Sequence, residues 1–207
     1  MSNSVSISIA TNSVIAASKA FGYLVTGSPT LFAETVHSLA DVGNQVLLKI
    51  GEVRGRAGPD LEHPFGRYQE RFFWALVSAV SVFFIGCGIN LYHGAQALID
   101  RAEVQPFSVL ILALLLFSLA LEAWTFSVAW RELGGMAGLR RNRHNTPVLA
   151  VLLEDAVALF GIVLTLLVSG GSMLLGPLPV FDASIAIVVG VLLGAMALFL
   201  ATVNRKL

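Results

Sequence analysis

Cysteine is almost missing from this chain. Cys87 is the only one among 207 residues, so no internal disulfide can form and the redox compartment is unreadable. Charge is scarce as well: 13% of residues are charged, and 13 basic side chains balance 13 acidic ones to a net charge of zero. A chain without basic excess lacks the electrostatic footprint of a nucleic-acid binder. The first residues carry no basic region and no cleavage site, so no secretory leader is read there. No nucleophile–base set and no nucleotide motif appears, which argues against an enzyme.

What the chain has in quantity is apolar residues, 56% of the total. A water-soluble domain of this length covers itself with far more charge, so the bilayer is the natural solvent. A helix that crosses a bilayer needs about 20 predominantly apolar residues. Six stretches qualify: Ile7–Thr26, Thr30–Gly51, Phe72–Ile99, Phe107–Trp130, Val148–Gly170 and Val180–Val203. Turn chemistry separates them, at Gly27-Ser28-Pro29, Gly58-Pro59, Pro106, Gly134-Gly135 and Gly170-Gly171 through Pro179. The expected fold is an all-α integral membrane protein with six transmembrane helices in one domain, residues 1–207.

Basic residues set the expected orientation. Arg54, Arg56, Arg67 and Arg71 lie between spans two and three. Arg131, Arg140, Arg141 and Arg143 lie between spans four and five, and Arg205 and Lys206 end the chain. The alternate loops hold only Arg101. The positive-inside rule then places both termini and both basic loops in the cytoplasm.

The informative residues are ionisable groups within the spans: Lys19, Glu34, His37, Asp41, Glu122, Glu154 and Asp155. Each costs several kcal/mol in hydrocarbon unless paired, hydrated or metal-bound, so each is a functional candidate. A buried ion pair or a polar tether between helices is the alternative reading. In span two, Glu34, His37, Asp41 and Asn44 follow steps of three, four and three, which aligns them on one helix face. Asp41 is roughly 16 Å in from Thr30, and Asp155 roughly 12 Å in from Pro147 on the opposite side, at the rise of a helix. Both carboxylates are therefore expected near the midplane. A His and an Asp four apart, facing another carboxylate, offer the nitrogen and oxygen ligands that Zn2+, Mn2+ or Fe2+ accept.

These residues resemble the cation diffusion facilitator family of metal transporters. The resemblance is carried by HSLADVGNQVLLKIG (His37–Gly51), DLEHPFG (Asp60–Gly66), LLEDAVALFGI (Leu152–Ile162) and FDASIAIVVGVLLG (Phe181–Gly194), in the family's order. Within it, Lys19, TGS (Thr26–Ser28), the GNQ after Asp41 and LYHG (Leu91–Gly94) look like the zinc transporter nine-like branch. The resemblance implies a transport site with two ligands from span two and two from span five. His37 and Asp41 match the first pair and Asp155 matches half of the second, but the remaining position is Val151. Glu154, Asn44 or water is left to supply the missing ligand, although Glu154 points about 100° from Asp155 on a helix. Losing an imidazole hardens the site and raises Mn2+ or Fe2+ relative to Zn2+. A cytoplasmic loop site known in some relatives matches at Asp60 and His63, while its third ligand position is Arg67, a cation.

The expectation is a secondary active transporter that exports a divalent metal from the cytoplasm in exchange for protons, without a cofactor. Its partners are the metal, protons, the lipid bilayer and, by resemblance, a second copy in a homodimer; its place is a bacterial inner membrane or an organelle membrane. The C-terminal cytoplasmic metal-binding domain usual in the family is not found before Leu207. Lys19 is expected to pair with Glu34, Glu154 or another acid, and Glu122 to line the inward path or pair structurally. The rival reading is a metal-sensing or scaffolding membrane subunit of the same fold without transport.

Overall fold

The computed structural model describes residues 3–26, 29–100, 109–141, 146–175 and 179–205. Its regular elements are all helical: α1 (Asn3–Thr26), α2 (Pro29–Arg54), α3 (Glu70–Ser81), a π-helical segment (Val82–Cys87), α4 (Gly88–Asp100), α5 (Val109–Leu133), α6 (Gly135–Arg141), α7 (Thr146–Leu175) and α8 (Pro179–Arg205). The starts of α2, α7 and α8 follow from proline in the first turn (Pro29, Pro147 and Pro179), where a missing N–H costs nothing. Between α5 and α6 the chain turns at Gly134 and Gly135, whose φ angles are 93° and 64°. A side chain at either position would be strained. The sequence does not foretell α6 or the π segment.

Four stretches are long and apolar enough to cross a membrane: Glu70–Ile99, which runs unbroken through the π segment, Val109–Leu133, Pro147–Val168 and Ala183–Val203. At 24 and 26 residues, α1 and α2 match them in length, but their composition is more polar. Several polar residues of α1 turn inward: Ser4, Ser8, Thr11, Asn12 and Lys19 are all buried. Phe21, Leu24, Phe84, Leu167, Phe181 and Leu198 are exposed, as expected of side chains that meet lipid.

Neighbouring helices close a ring. α1 packs on α2 and α5, α2 on α3, α3 and α4 on α8, α8 on α7, and α7 on α5. α2 and α1 also touch α7 across the middle. The tightest seam joins α4 and the π segment to α8. A Cβ on Gly94 would lie 2.6 Å from Ile187 Cγ1, and one on Gly194 would lie 2.9 Å from Cys87 Sγ. Close approach of this kind is how helices associate where lipid supplies no hydrophobic drive.

The apolar core is lopsided. Val5, Leu48, Leu133 and the run Val148–Leu152 are buried at the end of the ring that carries the basic loops. There the Ser4 backbone N–H donates to Glu132 Oε2 at 2.7 Å, so a carboxylate from α5 satisfies a first-turn donor of α1.

Candidate metal site

The steps of three and four in α2 bring His37 and Asp41 together, with His37 Nε2 3.5 Å from Asp41 Oδ2. Both line a cavity of about 350 Å3. Lys19 from α1, Asn90 and His93 from α4 and Glu122 from α5 share its wall, and mostly apolar residues of the π segment, α7 and α8 complete it. The cavity runs from Asp41 toward the ends of α4 and α8 at Ala97 and Ala183, away from the basic loops.

One turn beyond Asp41, Asn44 is buried and bonds in two directions. Its amide nitrogen donates to Glu154 Oε1, and its oxygen accepts from Ser78 Oγ at 2.5 Å. This joins α2 to α7 and α3. Asp155 is 1% exposed and Glu154 5%, so both acids of α7 lie within protein. Their 100° separation does not take Glu154 away from the site, because α7 meets α1, α2, α5 and α8 and has protein on most sides. Asp41 is within electrostatic reach of both acids, and Glu122 within reach of Glu154. Glu154 Oε2 and Asp155 Oδ2 have no hydrogen-bond donor among the described residues. A buried acceptor without a donor calls for water, a proton or a cation.

The structure therefore brings together two pairs, His37 with Asp41 and Asn44 with Glu154, and buries Asp155 next to Glu154 on α7. Among the described residues, no three His, Cys, Asp or Glu side chains gather closely enough to hold a metal ion. Val151 is fully buried in the apolar cluster with Leu48 and Leu149, so the position that departs from the ligand pattern serves as core. Lys19 is 4% exposed and its ammonium donates to Ser38 Oγ at 3.1 Å. The side chain of Glu34, one of the acids expected beside Lys19, lies outside the described residues.

A match to the cation efflux transmembrane domain extends over residues 5–206, nearly the whole chain. The chain belongs to the cation efflux family. Among the relatives of this cation efflux domain is the proton-coupled zinc antiporter SLC30A9, mitochondrial, of Homo sapiens, 32% identical over 98% of this chain and 37% of that protein. The Xenopus laevis protein of the same name is 33% identical over 91% of this chain and 35% of its own length. Metal tolerance protein C4 of Arabidopsis thaliana is 33% identical over 87% of this chain and 41% of that protein. The cation efflux domain thus spans little more than a third of the SLC30A9 proteins it matches. It is a multi-pass membrane protein of a transport family.

In the loop after α2 of this domain, Asp60 is satisfied from within the loop. Asp60 Oδ1 accepts from the backbone N–H groups of His63 at 2.6 Å and Glu62 at 3.0 Å, and lies 3.1 Å from His63 Nδ1. Asp60 Oδ2 accepts from Arg67 Nη2 at 2.8 Å. The hydrogen bond from Arg67, backed by that from the His63 backbone, brings the Asp60 carboxyl down to about 2 from its ordinary 3.8. A guanidinium thus occupies the second oxygen of the Asp60 carboxylate.

Proposed function

We propose that this chain is the membrane-spanning part of a secondary active transporter. It moves a divalent transition-metal cation, Zn2+ ahead of Mn2+ or Fe2+, out of the cytoplasm in exchange for protons. One observation carries this reading. Asp41 lines a cavity with His37 3.5 Å away, and two buried carboxylates of α7 within its electrostatic reach, Glu154 and Asp155, each keep an oxygen without a donor among the described residues. Three acids so placed cost several kcal/mol in hydrocarbon, and a divalent cation or its replacement protons removes that cost. The names of two relatives, a proton-coupled zinc antiporter and a metal tolerance protein, support the same chemistry.

In this reading all six long helices cross the bilayer, α1 and α2 as the polar pair, and both termini face the cytoplasm. The conformation described is then the outward-open one. His37, Asp41 and Asp155 hold the metal, with Glu154 or Asn44 as further ligands after a local shift that opens the Asn44–Glu154 contact. Ligands must lose protons to bind metal and regain them to release it, so exchange needs no additional coupling residue. His37 is the imidazole among these ligands and the natural coupling site. Toward the cytoplasm, the cluster of Val5, Leu48, Leu133, Leu149 and Val151 excludes water. Loading from that side requires α2 and α7 to part where Asn44 and Glu154 join them.

The rival reading, a sensing or scaffolding subunit, draws on the absence of a three-ligand cluster among the described residues and on Val151. Competitive uptake of Zn2+, Mn2+ and Fe2+ into proteoliposomes under an imposed pH gradient separates the two. Uptake driven by the gradient supports the transporter. Metal binding without gradient-driven flux supports the subunit.

A further inference from the structure

Lys19 has a place in the cavity wall that the transport reading leaves unused. Its side chain is 4% exposed, and its ammonium is fixed 3.1 Å from the hydroxyl of Ser38, the neighbour of His37 in sequence. The cavity it lines also carries Asp41, Glu122, His37 and His93. Among these lining residues Lys19 is the one lysine or arginine. Because α1 and α2 run antiparallel, the contact with Ser38 sets Lys19 level with His37. Asp41 lies one turn deeper, toward the basic loops, by roughly 5 Å of helix rise. A cation travelling between Asp41 and the open end of the cavity must therefore pass a fixed positive charge.

We propose that Lys19 sets the affinity of the metal site from the outer cavity, weakening the hold on a divalent cation so that the ion leaves and does not rebind. The inference rests on the transport reading. The physics has a definite sign. Like charges repel more strongly in the low effective dielectric of a protein wall than in water, and the repulsion doubles for a divalent ion. Removing the ammonium makes the wall more negative by one charge so long as the acids that Lys19 also meets stay ionised. A purely structural tether between α1 and α2 predicts the opposite, since loosening the wall weakens binding.

The test is Zn2+ binding to the full chain in lipid nanodiscs, paired with Zn2+ flux in proteoliposomes, for the parent, Lys19→Met, Lys19→Arg and Asp41→Ala. Lys19→Met is expected to bind Zn2+ about ten-fold more tightly, to reach half-maximal flux at correspondingly lower Zn2+, and to lose maximal rate because release slows. Lys19→Arg, which keeps the charge, should behave like the parent. Unchanged or weaker binding by Lys19→Met, with Asp41→Ala still abolishing binding, overturns the role of Lys19 alone. Parent-like binding by Asp41→Ala overturns the metal-site reading itself. Should Lys19→Met fail to fold, Lys19→Gln gives the same sign in a polar side chain of similar length.

Discussion

Asn44 donates to Glu154 on the side of Asp41 that faces the basic loops, and Ser78 donates to the same Asn44. Three helices are thus held by one buried amide just where the open cavity ends. Asn44→Ala leaves the Glu154 carboxyl and the Ser78 hydroxyl to find other partners. The expected loss of stability is about 1–3 kcal/mol, the cost of orphaning buried polar groups. Thermal unfolding of the purified protein in detergent measures it. A variant as stable as the parent would show that the junction contributes nothing to closure.

Asp41→Ala and Asp155→Ala should each abolish metal flux in vesicles, because too few anionic ligands remain to offset dehydration of the ion. His37→Ala should retain some metal binding, since the acids remain, but make that binding less dependent on pH, because one proton-exchanging ligand is gone. If both acid variants transport like the parent, the midplane site is wrong, and Glu122 or the loop around His63 becomes the place to look.

Val151→His restores the missing ligand type and should tighten Zn2+ binding and favour Zn2+ over Mn2+. It also puts a larger, polar ring where a fully buried valine packs against Leu48 and Leu149. Stability without metal should therefore fall by about 1–3 kcal/mol. Metal competition and unfolding with and without Zn2+ read the two effects separately. A stability loss that Zn2+ does not recover would mean the new imidazole never reaches the ion.

Asp60 supplies a pH prediction with a fixed sign. Its folded-state value, about 2, is below the ordinary 3.8, chiefly through the hydrogen bond from Arg67. Whatever ordering it gives the loop is complete above about pH 4 and fades as pH falls toward 2. The loop is then silent between pH 5.5 and 7.5. Arg67→Ala should raise the Asp60 titration toward 3.8, seen by carboxyl NMR, and leave the pH profile of flux in that range unchanged. A flux profile displaced by Arg67→Ala would bring the loop into the coupling machinery.

The starts of the long helices were legible because apolar runs follow glycine and proline breaks, but the stops were less so: α7 runs on through Gly170 and Gly171, where the fifth span was expected to end, to Leu175. Pro29, Pro147 and Pro179 sit in the first turns that the runs imply. Asn44 was legible as a member of the His37–Asp41 face, from spacing alone. Its bond to Glu154 was not, because one residue's offset from Asp155 reads as pointing away when only one helix is considered. The crowding of α7 by four neighbours reverses that inference. Val151 could be read as a lost ligand but not as core, since hydrophobicity is uniform along that run. Short α6 was hidden by its glycines and by arginines that mark a loop equally well.

The π segment Val82–Cys87 interrupts an otherwise α-helical span, and Asn90, His93 and Gly94 follow it. A π turn accommodates one more residue than the α-helix around it, so it acts as a one-residue insertion in the helical phase. Deleting one residue from VFFIGC would return the span to α geometry. Such a deletion would leave the residues on either side at their present bearings, whereas α geometry at full length would turn one side relative to the other by about 100°. Either Ala75 and Ser78 or Asn90 and His93 would then leave their present facings. The face that Ser78 offers to Asn44 and the face that lines the cavity are kept in register by the π turn, and that turn, more than the side chains in it, is what a sequence change of unaltered length can least disturb.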